Sequence, residues 1–185
     1  MYNILKVIRY VKFVFQSLKL YFWNHFFTNI PFSAIRMFIV RFYLKKIGCN
    51  SNFLIGVQLK EPGNIVIGNR VVVNSNVLLD GRGGLEIYDN VDIARGVTIW
   101  TMSHDYDNNH SLYSLKVIIK SNCWIGSGAQ ITPGVVLNDN IVVGCGSVVT
   151  KSFPENSVIA GVPAKFIKSR VNAIDYQLFY FPWFL

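Results

Sequence analysis

Residues 101–116, TMSHDYDNNHSLYSLK, hold His104 and His110, two of the three histidines of the chain, together with Asp105, Asp107 and two asparagines. Histidine ordinarily titrates near neutral pH, so one imidazole can take a proton and give it back within a single turnover. A zinc site of three histidines would need one more than this half of the chain holds, so no metal is expected; proton transfer is chemistry that a single imidazole can do. Cys49, Cys123 and Cys145 lack metal-ligand spacing and are odd in number. We read them as reduced thiols of a cytoplasmic protein. A second polar group, Asp80 and Arg82, lies upstream in LDGRGG.

The elements that must hold these residues are written in a six-residue beat. Ile119, Ile125, Ile131, Leu137, Val143 and Val149 follow one another at intervals of six. Ile67, Val73 and Leu79, then Ile87, Ile93 and Ile99, repeat the spacing on either side of DGRGG. Neither an α-helix nor an alternating strand has this period. A solenoid with one short strand and one turn per flat side does, three hexads closing one triangular coil. Asn and Asp at 89–90 and 138–140, with Gly56, Gly68, Gly126 and Gly144, are the expected turn residues. The beat stops at Ile99 and resumes at Val117–Ile119, so residues 101–116 read as a loop protruding from a rigid scaffold, with His104 at its root and His110 a solvated bystander.

Residues 1–46 are different. They carry eight Lys/Arg and no acid, while ten basic and ten acidic residues share the remainder, so the whole net charge of +8 lies there. Apolar residues from Ile4 to Leu18 follow helical spacing, and Pro31 is expected to open a second helix running to Tyr43. The uncharged run from Leu20 to Ile35 is too short and too polar to span a bilayer. Two readings stand: a helical cap alone on the next domain, or that cap with a basic in-plane helix also touching the inner face of the cytoplasmic membrane. The segment is too apolar to favour nucleic acid. No secretory signal is recognisable. The division is a helical extension over 1–46, coils over 47–163 and an apolar tail over 164–185.

The turn WIGS at 124–127, TPGV at 132–135, GCGSVVTKS at 144–152 and AGVPAK at 160–165, with LLDGRGGLEIYDNVDIARGVTIWTMSHD at 78–105, resemble the hexapeptide-repeat acyltransferases. The similar branch is that of galactoside and maltose O-acetyltransferases and the O-acetyltransferases of capsules and exopolysaccharides. The resemblance spans about residues 47–170. It implies an all-β left-handed parallel β-helix, a homotrimer with active sites between subunits, and acetyl-coenzyme A as co-substrate. It places His104 as general base and Ser127 beside the thioester. Cys145, Thr150 and Lys151 would line the coenzyme A groove, with Lys165 and Lys168 near the nucleotide phosphates. Lys stands where relatives often carry Arg, giving a point charge instead of a fork. Cys145 replaces a smaller residue and has no base near it in sequence.

On the acceptor side the resemblance implies Asn74. Asp80 and Arg82 read equally as binders of sugar hydroxyls or as a paired turn, and Asp105 as a ligand of the acceptor or of His104. The function implied is O-acetylation of a sugar or glycan intermediate. Serine acetyltransferase is the near rival, but that family puts its histidine where Gly81 stands. Amino-sugar N-acetylation and a non-catalytic scaffold complete the alternatives.

Overall fold

A computed structural model describes residues 2–171 and 177–184, with side chains from Lys6 onward. Short strands, most of two or three residues, wind through three flat faces. The first face stacks Lys46–Ile47, Ile65–Ile67, Leu85–Ile87, Val117–Ile119 and Val136–Leu137. The second stacks Asn52–Phe53, Val72–Val73, Asp92–Ile93, Trp124–Ile125, Val142–Val143 and Ser157–Gly161. The third stacks Gln58–Lys60, Leu78–Asp80, Thr98–Ile99, Gln130–Ile131 and Val148–Val149. All these pairings are parallel, and the hexad residues sit one above another: Ile93 on Ile125 on Val143, and Ile99 on Ile131 on Val149. Each such side chain is wholly or almost wholly buried. The chain is therefore a left-handed parallel β-helix of about six turns.

The corners explain the turn residues. Between the first and second faces, Asn50, Arg70, Asn90, Asn122, Asn140 and Asn156 stack in one column, each with φ between 53° and 61°. Asn tolerates this left-handed conformation better than most side chains. The column also bonds to itself: Asn90 Nδ2 donates to Asn122 Oδ1 (2.8 Å) and Asn140 Nδ2 to Asn156 Oδ1 (3.1 Å). Of the four glycines expected to make turns, only Gly56 has positive φ. Gly126 serves close approach instead: a Cβ there would lie 2.7 Å from the Cys145 backbone nitrogen on the next coil.

Between the third and first faces the coils take up every insertion. Residues 61–64 and 81–84 widen this edge, and 101–116 leave it entirely. The excursion is a β-hairpin, Met102–Asp105 against Ser111–Ser114. Its root is Thr101, whose carbonyl accepts the Leu115 N–H (2.8 Å). His104 pairs with Leu112 and so stands partway along the hairpin, not at its root.

The extension forms helix α1 (Tyr2–His25) and helix α2 (Ser33–Val40), joined through a short 3-10 turn. α2 starts two residues after Pro31 and stops before Tyr43. Only the last turns of α1 dock on the first coil. Trp23 is fully buried and its Nε1–H donates to the Val57 carbonyl (3.0 Å). Asn24 exchanges hydrogen bonds with the backbone of Leu59. Among the described residues no helix is long and apolar enough to cross a membrane. At the other end, Ala164–Ser169 folds back antiparallel on Ser157–Gly161, so the second sheet runs past residue 163. The tail then returns to the first coils. Ser33 Oγ donates to the Pro182 carbonyl (2.6 Å) and Phe184 stacks on Phe32 (5.4 Å). Residues 172–176 of that tail lie outside the described residues.

Candidate active site

The hairpin overhangs the widened edge and makes a groove of about 650 Å³ with the coils below it. His104, Tyr106 and Tyr113 line the hairpin side; Trp100, Thr132 and Thr150 line the coil side, with Arg82 at the end. His104 is exposed, and its Nδ1 lies 3.0 Å from the His110 carbonyl oxygen. A carbonyl only accepts, so the contact requires the hydrogen on Nδ1 and leaves the neutral ring's lone pair on Nε2. That is the tautomer a proton acceptor needs. His110 thus contributes its backbone rather than its ring. Asn109 and His110 both have positive φ (51° and 54°), and this turn carries the carbonyl back toward the imidazole. Asp105 does not touch His104; its Oδ1 accepts the Asp107 N–H (3.1 Å) and shapes the same turn.

Asp80 is fully buried beneath the groove. Its carboxylate accepts Arg82 Nε (2.9 Å), Arg82 Nη2 (3.0 Å), the Arg82 N–H (3.0 Å) and the Thr101 N–H (3.1 Å). Thr101 Oγ1 in turn accepts the Gly83 N–H (2.7 Å). Of the two readings of LDGRGG, the paired turn is what Asp80 makes, and it clamps the hairpin root to the coil. Burial alone would push the Asp80 pKa up; the hydrogen bonds from Arg82 and Thr101 outweigh it and hold the carboxyl below its usual range. Arg82, raised by its bond to Asp80, stays partly exposed and reaches the groove. Trp100, which the sequence did not single out, has two cations near its ring: Lys60 Nζ is 4.9 Å and Arg82 Cζ 6.0 Å from its centroid. Its only sequence signal is a large aromatic directly after the last buried hexad residue.

The remaining residues picked from sequence divide between edges. Thr150 is in the groove with His104, and Lys151 follows it, exposed. Ser127 and Cys145 are not there. They stack on the edge between the second and third faces, where the Gly146 N–H donates to the Ser127 carbonyl (2.9 Å). Asn74 occupies the same edge, its Nδ2 donating to Asp92 Oδ1 (3.0 Å) and the Ile93 carbonyl (3.1 Å). Burial raises the pKa of Asp92, and the bond from Asn74 offsets part of that. The third face separates the two groups within one chain. Lys165 and Lys168 project from the returning strand, and across 141–170 four cations face one acid, Glu155. Cys123 is buried, donates to the Asn138 carbonyl (3.1 Å), and burial lifts its pKa to about 12, so it is no nucleophile. Among the described residues no cluster of three metal-ligating side chains exists.

The family of bacterial transferases with hexapeptide repeats (six repeats) matches residues 116–151. The chain is 39% identical over 128 residues to galactoside O-acetyltransferase of Escherichia coli K12, covering 67% of this chain and 63% of that one. It is 32% identical over 138 residues, 74% of this chain and 76% of the other, to WcaF of the same organism, whose name makes it an acetyltransferase of colanic acid biosynthesis. The structure of a galactoside acetyltransferase in complex with coenzyme A superposes with a TM-score of 0.76 at 31% identity, covering 89% of this chain and 86% of that one. The chain belongs to the hexapeptide-repeat acetyltransferases. It spans under two thirds of the E. coli galactoside enzyme's length.

Proposed function

We propose that the protein transfers acetyl from acetyl-coenzyme A to a hydroxyl of a sugar or glycan intermediate, with His104 as general base. The observation that carries this reading is the Nδ1 contact of His104 with the His110 carbonyl, which leaves Nε2 able to accept a proton. Nε2 takes the proton of the acceptor hydroxyl as its oxygen bonds to the thioester carbonyl carbon. The carbon–sulfur bond then breaks and the same proton leaves Nε2 for the sulfur, so no net proton is gained or lost. Backbone N–H groups around Ser127 are suited to the oxyanion that develops between these steps, and such donors are typically worth about 10²–10³ in rate. The cations Lys151, Lys165 and Lys168 suit the phosphates of coenzyme A, and the similar galactoside acetyltransferase was solved with that coenzyme.

A homotrimer follows from the same reading. The His104 groove and the edge of Asn74, Ser127 and Cys145 lie on different edges of one prism, and three prisms side by side would bring one edge of each against the other edge of a neighbour. Arg82, Trp100 and Asn74 would then contact the acceptor. Acetyl-coenzyme A and reduced thiols suit a cytoplasmic site of action. The test is thiol release from acetyl-coenzyme A in the presence of simple sugars. His104→Ala should lower the rate by about 10²–10⁴; an unchanged rate would remove His104 from this role.

A further inference from the structure

Helix α1 turns its apolar side away from the protein. Its inner side is set by Leu20, Trp23 and Asn24, which meet the first coil, and by Phe13, Gln16 and Ser17, which line the cleft facing residues 61–63. At about 100° per residue, Val7, Tyr10, Val11, Val14, Phe15 and Leu18 fall on the opposite arc. They are 37% to 70% exposed. Tyr10, Val11, Val14, Phe15 and Leu18 enclose a shallow apolar hollow on that outer side. Tyr21, Phe22 and Phe26 prolong it, with Phe22 and Phe26 in ring contact at 5.7 Å. An amphipathic helix of a globular protein normally buries this side in its own core. Here the core contact is made by the other side, so the cap reading accounts for Trp23 and not for the arc.

The charge around the arc selects its occupant. On the same wheel Lys12 borders it on one side and Lys6 on the other, while Lys19 turns inward to the Phe42 carbonyl and the Tyr43 ring; residues 1–46 hold eight cations and no acid. A second copy placed face to face would bring like charges together. An anionic bilayer offers both an apolar layer and the opposite charge. We infer that α1 lies flat on an anionic lipid bilayer, its outer arc sunk to the headgroup–acyl boundary and the β-helix held above by Trp23 and Asn24. The exposed pair Phe38 on α2 and Phe42 in the turn after it, and Trp183 at 84% exposure on the tail, supply further interfacial aromatics. The inference does not depend on what the groove catalyses.

The test is sedimentation of the full chain with vesicles of phosphatidylcholine alone and of phosphatidylcholine mixed with phosphatidylglycerol. The wild type should pellet with the mixed vesicles, less with the neutral ones, and be released by salt. Phe15→Ser, on the outer arc, should weaken partitioning about tenfold. Phe13→Ser removes the same side chain from the inner side, where it is equally accessible, and should change it less than about twofold. Equal losses for the two, equal binding to neutral and anionic vesicles, or a wild type that stays in the supernatant would overturn the proposal. So would a smaller particle for Phe15→Ser in light scattering without lipid, since the arc would then be covered by a second copy.

Discussion

The coils and helix α1 are both rich in large apolar side chains, and they use them in opposite directions. Ile119, Ile125 and Ile131 are completely buried; Phe13 and Phe15 of α1 are 65% and 70% exposed. The difference lies in what each element has for neighbours. A hexad residue meets its equivalents on the coils above and below and the two other faces across the prism, so every inward side chain is enclosed without any other element. A single helix laid against the outside of the first coil has one side to bury, and Leu20, Trp23 and Asn24 use it. Hydrophobicity alone therefore says nothing about burial here; the repeat does.

Substitutions should separate the two regions. The largest effect belongs to the coils: Ile125→Ala should lower unfolding stability by about 2–5 kcal/mol, through lost transfer energy and the cavity left in a closed prism, and a chemical denaturation curve measures it. The clamp under the hairpin comes next. Asp80→Ala strands the buried Thr101 N–H and should cost about 1–3 kcal/mol. The same group sets a pH dependence. Because its folded pKa is lowered, its contribution is complete above the ordinary carboxylate pKa, about 3.9, and disappears as pH falls through the folded value. In melts carried from neutral to acid pH the gap between wild type and Asp80→Ala should close in that window. A gap that widens toward acid would reverse the sign assigned to the clamp. The smallest effect is expected on α1: Phe15→Ala should move stability by no more than about 0.5 kcal/mol, since it removes little buried surface. A large loss there would mean the arc is covered within the protein, and the contrast with the coils would disappear.

Much of this was legible in the residues. Ile119 to Val149 at intervals of six define the coils because a stacked core demands the same residue at the same place in every turn. The silence of the beat over 101–116 marks the hairpin for the same reason. His104 stood out through its motif. Its partner did not: the His110 carbonyl arrives through a turn of two left-handed residues, and backbone atoms carry no sequence signal. Asp80 looked equally fit for solvent and for a pair, because polarity does not reveal depth. Cys145 and Thr150 read as one groove, yet within one chain they lie on different edges, since a helix of three faces sends residues about a hexad apart to different sides. The tail could have gone to several surfaces, and the choice of Phe32 and Ser33 rests on contacts between residues some 150 positions apart.

By itself the sequence determined the period, hence the prism, its turn residues, the place of the excursion and the concentration of positive charge in residues 1–46. These are local or repeating properties, and a repeat converts local pattern directly into architecture. Only the tertiary structure decided which atom of His104 is free, that Asp80 is a clamp, how the site residues divide between two edges, and which side of α1 faces outward. Each depends on where a side chain stands relative to residues distant in the chain, and no spacing within the sequence encodes that.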